Sequence, residues 1–221
     1  MRATVPGAHG GDSSYGGQYE ASCRKEIYMS KEARFWVVTD LETLGLNPEK
    51  HDIIQIARVV MDVASRSIVP HSEMVTYVKP SRWNSADREA LDTHNISYET
   101  AMAGKLLPEA LGLWCREIDW SQSVLAAWGI DFETRFLTKA FKATNRIIPF
   151  DYRTIDIRTL CHGFRAAFGA TDYLSLADMC KEQDIMFEKD RGHDALYDAQ
   201  KTAEAARAIL DETWRLELNY V

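Results

Sequence analysis

The stretch FWVVTDLETLGL, residues 35–46, places the tightest constraint on what this chain can fold into. Its bulky and β-branched residues up to Thr39 read as a buried strand. The strand then meets two carboxylates, Asp40 and Glu42. Residues i and i+2 of a strand face the same side, so the two acids project together. Ionised carboxylates are costly to bury unpaired, and two that share a site repel unless a cation lies between them. The strand must therefore end at a solvated edge or at a cation-binding cleft. In open α/β sheets the carboxyl ends of strands are where ligands bind. Taken alone, the pair is more simply a solvated strand end.

The rest of the chain supplies a sheet around that strand. Residues 53–62 and 73–80 are apolar and β-branched and read as strands joined in a meander. Leu111, Trp114, Cys115 and Ile118 recur at helical spacing, with Pro108 near the start of that helix. Residues 123–129 and 154–157 read as short strands, and helices are expected over 131–145, 158–168, 175–183 and 194–216. Early strands followed by alternating helices and strands predict a single α/β domain over 31–216 with a mixed sheet. Residues 1–30, rich in Gly and Ser and without apolar periodicity, are expected to be a disordered tail, and 217–221 a C-terminal tail. Met29 offers an alternative start just ahead of the first strand.

Of the 221 residues, 46% are hydrophobic, enough for a substantial core, yet no run approaches the roughly 18–20 apolar residues that cross a bilayer. The N-terminus lacks the basic-then-apolar layout of a secretory signal. The four cysteines, Cys23, Cys115, Cys161 and Cys180, are too dispersed for a structural zinc site and read as reduced thiols of a cytoplasmic protein. A formal net charge of −7 argues against a protein that coats long stretches of nucleic acid, but not against one that grips a few nucleotides.

Two more acidic stretches follow. In LAAWGIDFETRFL (125–137), Asp131 stands after an apolar strand at the start of a helix. In RGHDALYDAQKTAEAARAIL (191–210), Asp194 reads as an N-cap, Asp198 lies one turn into the helix, and His193 stands just before it. Ala195, Ala199, Ala203 and Ala206 form a stripe of small residues for close packing. Each stretch alone is as well explained by helix capping or a solvated face.

The three stretches in this order resemble the DEDDh group of 3′–5′ exonucleases, which includes proofreading subunits, oligoribonuclease and RNase T. The matching segments are TDLETLGL, GIDFETRFL and GHDALYDA. HDIIQIARVVMD, the HNIS turn at 94–97 and TIDIRTL agree as well. The histidine five residues before the last Asp resembles the His variant of the group; the Tyr variant needs a tyrosine where Asp194 stands. One departure concerns the middle acid. Many members carry His-Asn five and four residues before it, and counted from Asp131 those positions are Ala126 and Ala127. Trp128-Gly129 is similar instead to a branch that trims histone-message and small-RNA ends. Asp131 is the expected middle acid and Glu133 the alternative.

The resemblance implies an RNase H-like exonuclease fold, a mixed five-stranded sheet flanked by helices. It implies that Asp40, Glu42, Asp131 and Asp198 hold two divalent metals, Mg²⁺ or Mn²⁺, typically about 3.5–4 Å apart, and that His193 is the general base. Phosphodiester bonds at the 3′ end of single-stranded DNA or RNA would be hydrolysed to 5′-mononucleotides. Leu41, Thr43 and Leu44 are expected to meet the terminal nucleotide. A homodimer and a polymerase, repair or RNA-processing partner are compatible with the resemblance, as is a non-catalytic binding module on the same fold. Arg135, Lys139, Lys142 and Arg146 line one helix face, where they either steer a phosphate backbone or are simply solvated. Trp83 is undecided between base stacking and packing, whereas Trp128 is expected to pack in the core.

Overall fold

The strand that ends in two carboxylates is the centre of the sheet. A computed structural model describes residues 33–219, and in it β1 (Phe35–Thr43) pairs antiparallel with β2 (Ile53–Asp62) from Phe35–Asp62 to Thr43–Ile53. On its other side β1 runs parallel to β5 (Ser123–Ala127), but the pairing stops at Val38–Ala126. Past that point the β5-side edge of β1 is open, and this is where Asp40 and Glu42 stand.

The strand order is β3–β2–β1–β5–β6, with β6 (Ile155–Asp156) parallel to β5 at the far edge. Two short strands, β3 (Ser67–Ile68) and β4 (Met74–Tyr77), share the outer edge of β2, so the mixed sheet is five strands wide, as expected.

Helices cover both faces. Val37 and Leu41 of β1 join a core with α3 (Leu107–Cys115) and α4 (Asp131–Ala143), built around the fully buried Trp114, Leu137 and Leu111. Val38 points the other way, into a core with α5 (Ile157–Ala167), α6 (Leu176–Glu182) and α7 (Ala195–Asn219). Asp40 and Glu42 lie two and four residues beyond Val38, so they face α7. The alanine stripe is what lets α7 come close: Ala195, Ala199, Ala203 and Ala206 are all fully buried.

The elements depart from expectation mainly at their ends. The strand expected over 73–80 is limited to Met74–Tyr77, and 123–129 ends at Ala127. Ile118 lies beyond α3, which stops at Cys115. The last helix runs to Asn219, past the expected end at 216, while 1–30 and the final two residues of the expected tails lie outside the described residues. Two helices were not expected, α1 (Arg88–His94) and α2 (Tyr98–Met102). They are short and mostly solvent-facing, so no apolar period marks them. Ser97 caps α2 by accepting from Thr100 N–H at 3.1 Å, and Asn95 closes α1 in the left-handed region at φ 54°.

Candidate active site

The open end of β1 forms one wall of a cavity of about 790 Å³. Asp40, Glu42, Glu133, His193 and Asp198 all line it. Asp198 is brought there by the start of α7. Asp194 caps that helix, its Oδ1 accepting from the N–H groups of Leu196 and Tyr197 at 3.1 Å each. Ala195 N–H donates to Gln55 Oε1 at 3.0 Å, which ties the first turn to β2. Just ahead of the cap, His193 adopts φ 66°, and its N–H donates to Asp198 Oδ2 at 2.9 Å. Its ring is exposed and free to reach into the cavity.

Burial makes this a demanding place for carboxylates. It pushes Asp40 well above the usual range, and the neighbouring Glu42, Glu133, Asp198 and Asp194 push it further. Glu42 is raised to about 9, chiefly by burial and then by Asp198 and Asp194. Glu133 is raised to about 8 by burial and by Asp156, with the Arg158 guanidinium working against the rise. Asp198 is raised by burial, against the favourable His193 N–H. A cation held among these carboxylates would favour their ionised forms.

The donor set fits divalent cations. One ligand atom each from Glu42, His193 and Asp198 lie within 4.8 Å of one another. Two buried carboxylate oxygens, Asp198 Oδ1 and Glu133 Oε2, have no hydrogen-bond partner. Unsatisfied oxygens on two carboxylates in one pocket suit a hard, oxygen-preferring ion such as Mg²⁺ or Mn²⁺.

Asp131 does not join the cluster. Its side chain is 83% exposed and is ion-paired with Arg135 at 2.9 Å, on the outer face of α4. Glu133 is the acid that α4 turns inward, 3% exposed. It shares a helix face with Phe136, Leu137, Ala140 and Phe141, all buried. That spacing was present in the sequence and was the signal for Glu133. Counted from Glu133, the positions where relatives carry His-Asn are Trp128 and Gly129.

Among the expected substrate contacts, Leu41 and Thr43 line the cavity. Leu44 does not: it is fully buried in a small core with Ile54 and Ala101. Leu46, 75% exposed, lines the cavity in its stead. α1 also lines the cavity, including His94, whose Nδ1 accepts from Ile96 N–H at 3.0 Å. Burial and the nearby His193 hold the His94 pKa down. The basic face of α4 is partly neutralised, Arg135 by Asp131 and Lys139 by Glu49 at 2.7 Å. Trp128 is half-buried and lines the cavity as well as meeting the core, while Trp83 packs edge-on against Tyr98 outside it.

Known proteins match this chain along most of its length. A family model described as Exonuclease matches residues 37–206. The Ribonuclease T of Marinobacter nauticus is 30% identical over 191 residues, covering 81% of this chain and 83% of that protein. The solved nuclease domain of 3′hExo, a DEDDh family member bound to rAMP, superposes with a TM-score of 0.63 at 18% identity, covering 83% of this chain and 95% of that one. The zinc-bound complex of Escherichia coli exonuclease I with single-stranded DNA gives 0.66 at 16% identity, covering 86% of this chain and 43% of that longer one.

Proposed function

Because the chain belongs to the ribonuclease T exonuclease family and is a 3′–5′ exonuclease of the DEDDh type, we propose that its cavity binds the 3′ end of single-stranded DNA or RNA and releases 5′-mononucleotides. The observation that carries this is the convergence of two buried carboxylates, Glu42 and Glu133, two half-buried ones, Asp40 and Asp198, and one exposed histidine on a single cavity. Names among the relatives point to both nucleic acids: ribonuclease T and bound rAMP on one side, single-stranded DNA on the other.

Asp40, Glu42, Glu133 and Asp198 would hold two divalent cations, Mg²⁺ or Mn²⁺. When bound, these supply Lewis-acid charge for activating water and for stabilising a leaving oxygen. His193 takes the proton of the attacking water. Its place on an exposed turn, anchored through its N–H to Asp198, lets the ring move without unfolding α7. The side chains of Leu41 and Leu46 offer apolar surface to the terminal nucleotide, and Thr43 lines the cavity beside them. No described helix is long and apolar enough to cross a membrane. A cytoplasmic location, a homodimer and a replication, repair or RNA-processing partner belong to the same proposal. Catalysis by an exonuclease replaces the non-catalytic alternative.

A 5′-labelled panel of single-stranded DNA, single-stranded RNA and duplexes, incubated with Mg²⁺, Mn²⁺ or EDTA, tests this reading. Shortening from the 3′ end is expected with either metal and none in EDTA. Full activity in excess EDTA would remove the metals from the mechanism.

A further inference from the structure

A row of rings leads away from the cavity wall. Trp128 forms part of its wall, and the Trp128 centroid lies 6.4 Å from that of His162 on α5. His162 stacks on Tyr173, with centroids 4.3 Å apart and planes 26° from parallel. Tyr173 is 79% exposed, so core packing does not account for it. The His162 ring is held from behind by a 3.3 Å contact between its Nε2 and the Leu174 carbonyl. Ser175 and Leu176, which follow directly in the chain, line the cavity again. The row thus leads from the cavity wall to open solvent.

A cation stands beside it. Gly129, at φ +89°, has no side chain, and a Cβ there would lie 3.4 Å from the guanidinium carbon of Arg158. The guanidinium therefore rests over the Gly129 backbone, next to Trp128. Arg158 is exposed, and its charge is felt by Glu133, whose carboxyl it favours in the ionised form. Arg88, which also lines the cavity, is by contrast 3.5 Å from Asp92.

We infer that Trp128, His162 and Tyr173, with Arg158 alongside, form a track for the nucleotides that precede the 3′-terminal one. Their bases stack on the rings and one backbone phosphate meets Arg158. This rests on the reading of the cavity as a nucleic-acid 3′-end site. Every base has a π-face, so such a track tolerates any sequence. The exposed Arg158 guanidinium, beside Gly129 and close enough to Glu133 to act on its carboxyl, also gives an anionic strand a point of attraction beside an acid-rich cage.

The test uses the full chain carrying Glu42→Gln, so that binding is read without cleavage. Anisotropy measures affinity for labelled single strands of two and five nucleotides in Mg²⁺. Tyr173→Ala and His162→Ala are expected to lower the five-to-two affinity ratio about fivefold or more, the lower end of what losing a base–aromatic stack costs. His162→Phe, which keeps a flat ring in the stack, should restore it. Arg158→Gln should reduce the slope of log affinity against log salt by about 0.7, the signature of one phosphate contact on a single strand. Trp128 is left intact because it also packs in the core. An unchanged ratio in Tyr173→Ala together with an unchanged salt slope in Arg158→Gln would overturn the track. Cleavage by the unmutated chain is followed separately. Cleavage with an unchanged ratio removes the track and keeps the 3′-end reading. Ring-dependent binding without 3′ shortening does the reverse.

Discussion

Two acids two residues apart on α4 have opposite fates, and the reason is helical geometry. Successive residues turn by about 100°, so Asp131 and Glu133 point about 200° apart. Asp131 opens the helix on its solvent face and pairs with Arg135, one turn on. Glu133 falls on the face of Phe136 and Leu137 and is carried into the cavity. Glutamate is one methylene longer than the aspartate the family pattern leads one to expect there, so its carboxylate reaches further from the helix. The two positions make a clean comparison. Glu133→Gln is expected to lower kcat by about 100-fold or more, on the scale of removing a catalytic group. Asp131→Asn should stay within about twofold, since it loses only an exposed ion pair. Steady-state rates on a labelled single strand measure both; equal losses would mean that α4 presents both acids to the substrate. His193→Ala should cost about 10²–10⁴-fold in kcat, the usual range for a general base. A rate within a few fold of the unmutated chain would assign the proton to another group.

At the scale of elements, the site depends on how closely α7 can lie against the sheet. Ala203 and Ala206 pack beside Val38 and Val59, and the same helix carries Asp198 toward Glu42. Ala203→Leu would force three extra carbons into a filled interface. It is expected to cost about 1–3 kcal/mol of stability and to lower activity further by lifting Asp198 away from β1. Thermal melts and kcat together check this: a fall in melting temperature with full activity in the folded protein would uncouple helix packing from the site. This coupling was readable from sequence, because small residues at helical spacing beside Asp194 and Asp198 are a local pattern. The DxE strand was readable for the same reason, through its period of two. The short helices α1 and α2 were not, since capping and tertiary contact rather than an apolar stripe hold them in place. Leu44 was misplaced because the strand pairing shifts between Glu42 and Thr43. A shift there breaks the simple alternation that would assign faces to the residues beyond it.

For the molecule as a whole, the acidic cavity should make stability depend on both pH and metal. Burial and repulsion from neighbouring carboxylates raise Glu42 to about 9 and Glu133 to about 8, and Asp40 and Asp198 are raised too. In the unfolded chain these groups titrate near 4. Between those values the folded state holds more protons than the unfolded one, so stability falls as pH rises. The contribution is fully present below the unfolded values and is lost as pH climbs through the folded ones. His94, whose pKa is lowered, acts in the opposite sense, but only around and below its ordinary value near 6.5. The buried thiols of Cys161 and Cys180, raised to about 12 and about 11, begin to matter only as pH nears the ordinary thiol value. The carboxylates therefore dominate the interval from pH 7 to 8, with a small contribution of the same sign from these thiols and from Cys115, raised to about 11. In EDTA the melting temperature is expected to fall across it. In Mn²⁺ or Mg²⁺ it should be higher, and the increment should grow with pH because the ions bind the ionised form. Glu42→Gln/Glu133→Gln should flatten the slope in EDTA and shrink the increment from metal. Calorimetry at pH 7 and 8, with and without metal, decides the matter: a melting temperature in EDTA that is level or rising would show that these carboxylates do not share one electrostatic site.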